Sequence, residues 1–147
     1  MELIATIIIT AASVLLFGYW FRYTCMLILS AKTNRDFVRE VAAFNELNFG
    51  GVQVALEAAT PDLERLRAAL DSDFAVLSRM MEQTKHLTID DAAIEQRMLQ
   101  MHYKASRMWF NLVGRLSSST GRRALEDMSS VVAHFANLMG ERVAAAA

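Results

Sequence analysis

The side chains of this chain that could do chemistry are few and scattered. Its three histidines, His86, His102 and His134, fall far apart in sequence. A protein metal site needs several donors converging at recurrent spacings, such as His-x-x-His or Glu-x-x-His on facing helices, and no such pattern stands here. Glu82 and His86 are four residues apart and share a helix face, which reads as a solvated contact. Asp90 and Asp91 are adjacent, and successive helical positions diverge by about 100°, so the two carboxylates do not work as an acid/base pair. They read as first-turn charge favouring a helix dipole.

Phosphate chemistry has as little support. Gly50-Gly51 lacks the further glycine, lysine or serine of a phosphate cradle. The adjacent basic pair Arg122-Arg123 stands at the start of a helix, against the dipole, and reads as an exposed pair of small cost. Cys25, the single cysteine, has no partner for an internal disulfide and reads as a small side chain beside an apolar stretch, with acylation as the functional alternative. These readings predict a protein that is not an enzyme, holds no metal and needs no cofactor.

Fifteen Lys plus Arg face sixteen Asp plus Glu, which supplies no broad basic field and excludes nucleic acid as an expected partner. One proline and six glycines in 147 residues, among abundant Ala, Leu, Met, Glu and Arg, favour long helices over short strands. The expectation is an all-α protein.

The strongest positional signal is the run Leu3 to Phe21, LIATIIITAASVLLFGYWF, which holds no charge and no proline. As a helix it spans roughly 28 Å, close to the hydrocarbon thickness of a bilayer. Glu2 and the long apolar run differ from a cleaved signal peptide, so the segment is expected to persist as a single-pass anchor. Arg22, Lys32, Arg35 and Arg39 follow it, whereas Glu2 and the terminal amine precede it. The positive-inside rule then places the N-terminus outside and the body in the cytoplasm, with Tyr19, Trp20 and Tyr23 as an interfacial aromatic belt. Arg22 interrupts the apolar run, which resumes from Tyr23 to Ala31. Either its side chain snorkels to the headgroups, or it lies within the bilayer and requires an anionic group.

Residues 1–31 thus read as the anchor, 32–51 as a juxtamembrane helix and Gly-Gly turn, and 52–147 as a cytoplasmic body. Apolar positions between Asp36 and Phe49 suit an amphipathic helix that continues the anchor and ends at Gly50-Gly51. Thr60-Pro61-Asp62 predicts a helix start with Thr60 as N-cap and Pro61 as first residue, followed by a stripe at Leu63, Leu66, Leu70, Phe74, Leu77, Met80 and Met81. Thr88 predicts the next cap. The inward stripe beyond it is Ile94, Met98, Met101, Ala105, Met108, Leu112 and Leu116, extended by Trp109 and Val113. A last helix carries Leu125, Met128, Val131, Val132, Phe135, Leu138 and Met139 and is expected to stop at Gly140.

This predicts a single N-terminal transmembrane helix followed by a small antiparallel helical bundle of three to four helices. The body methionines read as core fillers. Trp109 and Phe110 are adjacent and do not both fit one small core, so the pair is expected to face a partner, with Phe110 covered by membrane surface or another subunit. The function expected on these grounds is a non-catalytic membrane-anchored accessory or scaffold subunit of a larger membrane protein complex. The alternative is a self-assembling protein whose copies form a ring, pore or filament.

Overall fold

The last helix is the element against which the body is assembled, and its composition explains why. Between Ala124 and Met139 its buried positions, Leu125, Met128, Val131, Val132, Phe135 and Ala136 among them, cover too much of the circumference for one neighbour to bury. The computed structural model describes residues 1–30, 38–87 and 90–146, which are helical with no strand. They form two compact units, Met1–Lys32 and Thr33–Ala147.

The first unit is one helix, α1 (Glu2–Ser30), uninterrupted at Arg22. At 29 residues it is about 43 Å long, more than a hydrocarbon core of about 30 Å requires. It is long and apolar enough to cross a membrane, and its most apolar window is not buried by the rest of the chain. Its hydroxyls turn back on their own helix: Thr6, Thr10, Ser13 and Thr24 donate to the carbonyls of Glu2, Thr6, Ile9 and Trp20 at 2.8–2.9 Å. Polar atoms satisfied within the helix leave an apolar exterior. Residues 31–37 lie outside the described residues, and with them the expected continuity of the anchor into the body.

The second unit contains α2 (Val38–Phe44), α3 (Phe49–Leu56), α4 (Leu63–Gln83), α5 (Asp90–Trp109), a π-helical turn at Phe110–Gly114, and α6 (Ser118–Ala146). Each of the other helices of this unit, and the π-helical turn, packs against α6. Into this core α3 places Phe49, Val52 and Leu56, α4 places Leu70, Leu77 and Met81, and α5 places Leu99 and Tyr103. Phe74 lies parallel to Tyr103 with ring centroids 3.8 Å apart, and 6.0 Å from Phe135. Each such fully buried side chain contributes roughly 1.5–3 kcal/mol of transfer free energy.

Three expected boundaries are corrected by the structure. The helix after the anchor does not end at Gly50-Gly51, which sit inside the first turn of α3. It ends at Phe44 in a Schellman arrangement, in which the Leu47 N–H donates to the Ala42 carbonyl at 3.0 Å and Glu46 adopts φ 53°. A left-handed glutamate costs on the order of 1 kcal/mol, so something must hold it. That hold is Asp73, 2% exposed on α4, whose carboxylate accepts the N–H of Asn48 at 2.7 Å, the N–H of Phe49 at 2.6 Å and the Asn48 side-chain amide at 3.2 Å. The cap of α3 is therefore supplied from another helix, 25 residues away in sequence. Burial pushes the Asp73 carboxyl above its ordinary range, while the three donors pull it back.

The second boundary concerns α4. Thr60 does not cap it; Asp62 does, accepting the Arg65 N–H at 3.2 Å, and Pro61 precedes the helix. The Asp62 carboxylate reaches the otherwise free N–H three residues on, that of Arg65, and so takes the cap. The third is Gly140, which is buried within α6 and does not stop it. An interior glycine costs only about 1 kcal/mol against alanine, less than the burial of Met139 beside it returns. Arg142 donates to the Gln96 side-chain oxygen of α5 at 3.1 Å, and burial lowers its guanidinium below the ordinary value. The expected Thr88 cap lies outside the described residues.

Replacing Asp73 by alanine strands two buried N–H donors, and we expect a loss of about 2–3 kcal/mol in urea unfolding of the detergent-solubilised chain. Amide exchange should accelerate first between Asn48 and Leu56; uniform acceleration throughout the body would contradict a local cap. His134 on α6 makes a separate prediction, because burial holds its imidazole below 6.5, partly opposed by Glu95. A histidine with a depressed folded pKa contributes stability that is complete above its unfolded value and is lost as pH falls through the folded one. Stability should therefore decline between about pH 7 and 5, and His134→Gln should reduce that slope.

Candidate interaction surface

The helix α5 has two apolar faces, and the structure buries the one that simple periodicity does not favour. The expected inward stripe points outward: Ile94, Met101, Met108, Trp109, Leu112 and Leu116 are each more than half exposed, from 53% at Trp109 to 86% at Leu116. Met98 is half-buried and Ala105 exposed. The face turned to the core is instead Leu99, His102, Tyr103, Ser106 and Phe110.

The reason lies in what the inward face can satisfy. Tyr103 brings a large ring and a hydroxyl, and inside the body both find partners. The ring stacks on Phe74, and the hydroxyl donates to Asp71 Oδ1 at 2.8 Å. Burial and this hydrogen bond push the phenol far above its ordinary range, keeping it a neutral donor. The other Asp71 oxygen pairs with Arg67 at 2.7 Å and with Arg107 of α5 at 3.1 Å. Arg67 in turn holds Glu64 at 2.6 Å, which lowers the Glu64 carboxyl, and Arg115 reaches Glu64 at 3.6 Å. Asp71 and Arg67 are thus the polar clamp between α4 and α5. Charged partners of this kind strengthen a hydrogen bond well beyond a neutral pair.

Phe110 corrects a second expectation. It is 1% exposed and not partner-facing, whereas its neighbour Trp109 is exposed. Phe110 continues the inward face of Leu99, Tyr103 and Ser106 at four-three-four spacing, whereas Trp109, about 100° round the helix, lies beside the outward row. Gly114 and Gly121 make room for the ring. A Cβ on Gly114 would stand 2.7 Å from the Phe110 ring, and one on Gly121 would stand 2.7 Å from the Gly114 carbonyl oxygen. The aromatic excess of the sequence is resolved by burying one ring and exposing the other.

The outward residues at 94, 101, 105 and 108, with Met98 half-buried beside them, follow four-three spacing and form a narrow ridge along α5, and Leu112 is exposed in the π-helical turn beyond it. From Ile94 to Met108 it runs about 21 Å along the helix axis. Its margins carry exposed Arg97, Lys104, Arg107 and Arg115, with Glu95 as the acidic residue among them. Contiguous apolar surface of this kind, rimmed by charge, marks a place where a soluble face meets something else.

The remaining candidates are dispersed. Tyr19, Trp20, Arg22 and Tyr23 are exposed on α1, where the Tyr19 and Tyr23 rings stack at 6.4 Å and Phe17 contacts Trp20 and Phe21. His86 is exposed, His102 buried and His134 half-buried, and among the described residues no group of three His, Cys, Asp or Glu is placed to hold a metal. Arg122 donates to the Ala58 carbonyl beyond α3 at 3.3 Å, so that half of the basic pair is structural. A cleft of about 370 Å³ between α3 and α4 is bordered by Asp62 and Arg65, the former already capping α4. Comparison with protein-family models, with curated proteins and with solved structures gives no match.

The two adjacent aromatics should separate cleanly on truncation. Phe110→Ala empties a buried ring site and should cost about 3–5 kcal/mol in chemical unfolding, while Trp109→Ala should stay within about 0.5 kcal/mol of the parent. Equal losses would contradict the inward turn at Phe110.

Proposed function

We propose that the chain is a non-catalytic, single-pass membrane-anchored accessory or scaffold subunit of a larger membrane protein complex, docking through its transmembrane helix and its helical domain. The observation that carries this reading is α1, a continuous 29-residue apolar helix whose large side chains from Leu3 to Trp20 are exposed within the chain itself. Such a surface requires lipid or a partner helix around it. The uncovered ridge of α5 gives the body a second surface made for contact.

In this reading α1 crosses the bilayer with its N-terminus outside, because Arg22, Lys32, Arg35 and Arg39 follow the apolar run and an acidic residue precedes it. The aromatic cluster from Phe17 to Tyr23 then marks the cytoplasmic interface. The body is a small antiparallel bundle, since the short connections on either side of α5 favour reversal of direction between successive helices. One observation favours the alternative of self-assembly: the four-three spacing of the ridge is that of a coiled-coil seam, along which copies of a chain can pair.

Mass measurement of the intact chain after extraction from its native membrane in mild detergent tests the proposal. Co-migration with a larger complex of different proteins is the expected result. A discrete homo-oligomer supports self-assembly instead, and release by an alkaline wash without detergent contradicts the anchor.

A further inference from the structure

The exposed ridge of α5 combines three features that together select an occupant. The first is chemistry: Ile94, Met101 and Met108 form a row of flexible apolar side chains on α5, with the amphipathic indole of Trp109 beside them and Leu112 and Leu116 exposed just beyond the helix end. Interfacial helices carry such residues on the face that sinks into the headgroup boundary, and tryptophan is favoured at that depth.

The second is charge. The chain as a whole has a formal net charge of −1; with Arg107 and Arg115 engaged by Asp71 and Glu64, the exposed charges left beside the ridge are Arg97 and Lys104 against Glu95. Long basic side chains at the margin of an apolar stripe extend to lipid phosphates while their stems cover apolar surface. Two copies facing each other along the ridge would instead set the Arg97 and Lys104 of one copy against those of the other.

The third is tethering. The chain that carries the ridge also carries α1. If α1 enters a bilayer, the body is covalently confined near that bilayer, and an interfacial affinity too weak to recruit a free protein is sufficient. This step rests on the membrane reading of α1 given above.

We propose that the α5 ridge is a membrane-interface element that binds the anionic headgroup region of a bilayer, with Met101, Met108 and Leu112 entering the acyl boundary and Arg97 and Lys104 contacting lipid phosphates. The body then touches the membrane along α5.

The test uses the full chain carrying Cys25→Ser with a single spin-labelled cysteine, reconstituted alone in vesicles of phosphatidylcholine, or of phosphatidylcholine with about 30% phosphatidylglycerol. Met108→Cys and Met101→Cys report the ridge, Glu126→Cys an exposed position on α6, and Ile8→Cys the anchor. Collisional access to a water-soluble nickel reagent and to oxygen is measured. In anionic vesicles the ridge labels should lose roughly threefold or more of their nickel access and gain oxygen access, while Glu126→Cys stays aqueous. Arg97→Glu with Lys104→Glu should restore nickel access to the Met108→Cys label.

Ridge labels that remain aqueous in anionic vesicles overturn the proposal. So does equal protection with and without phosphatidylglycerol, and so does dipolar broadening between Met108→Cys labels, which would mean that a second copy covers the ridge. The Ile8→Cys label separates the two readings. If it is aqueous while the ridge is protected, the anchor reading fails and lipid binding by α5 stands; if it is lipid-exposed while the ridge is aqueous, the reverse holds.

Discussion

A single buried carboxylate fixes how the front of the body meets its centre. Asp73 lies on α4, facing inward, where an unpartnered charge would be costly. It is tolerated because the N-terminus of α3 presents two backbone N–H groups and the Asn48 amide to it. The pairing works in both directions: the helix end gains a capping anion favoured by its dipole, and the anion gains donors in place of water. The left-handed turn at Glu46, the start of α3 at Phe49 and the burial of Phe49, Val52 and Leu56 all follow from that docking.

Asp71, two positions earlier on α4, makes the matching connection to α5. Its two oxygens take the Tyr103 hydroxyl and the Arg67 and Arg107 guanidinium groups. This fixes the rotation of α5 about its own axis, so that Leu99, Tyr103 and Phe110 go in and the methionine-rich row goes out. The apolar ridge is therefore a consequence of how polar groups are satisfied inside. A helix with two apolar faces must expose one, and the face offering the larger aromatic area and a hydroxyl with a partner is the one retained.

The two units carry complementary physical problems. In α1 nearly every side chain is apolar and outward, and its hydroxyls are returned to its own backbone. In the body the apolar side chains are mostly gathered around α6, and what stays outside is concentrated on α5 with basic residues at its edges.

Much of the architecture was legible in the residues themselves. Helical class, the apolar N-terminal span, the inward stripe of α4 at Leu70, Leu77 and Met81, and that of α6 from Leu125 to Met139 follow from periodicity, because each of those helices has one dominant apolar face. The sequence could not say which face of α5 is buried, since Ile94-Met101-Met108 and Leu99-Tyr103-Phe110 both repeat at helical spacing. That choice depends on Asp71 and Phe74, residues of another helix. Nor could it place the break before α3, because the donor and acceptor of that cap stand 25 residues apart. Local composition determined that there are helices and roughly where; which side of α5 is left exposed was decided by hydrogen bonds and ring contacts that exist only once α4, α5 and α6 have met.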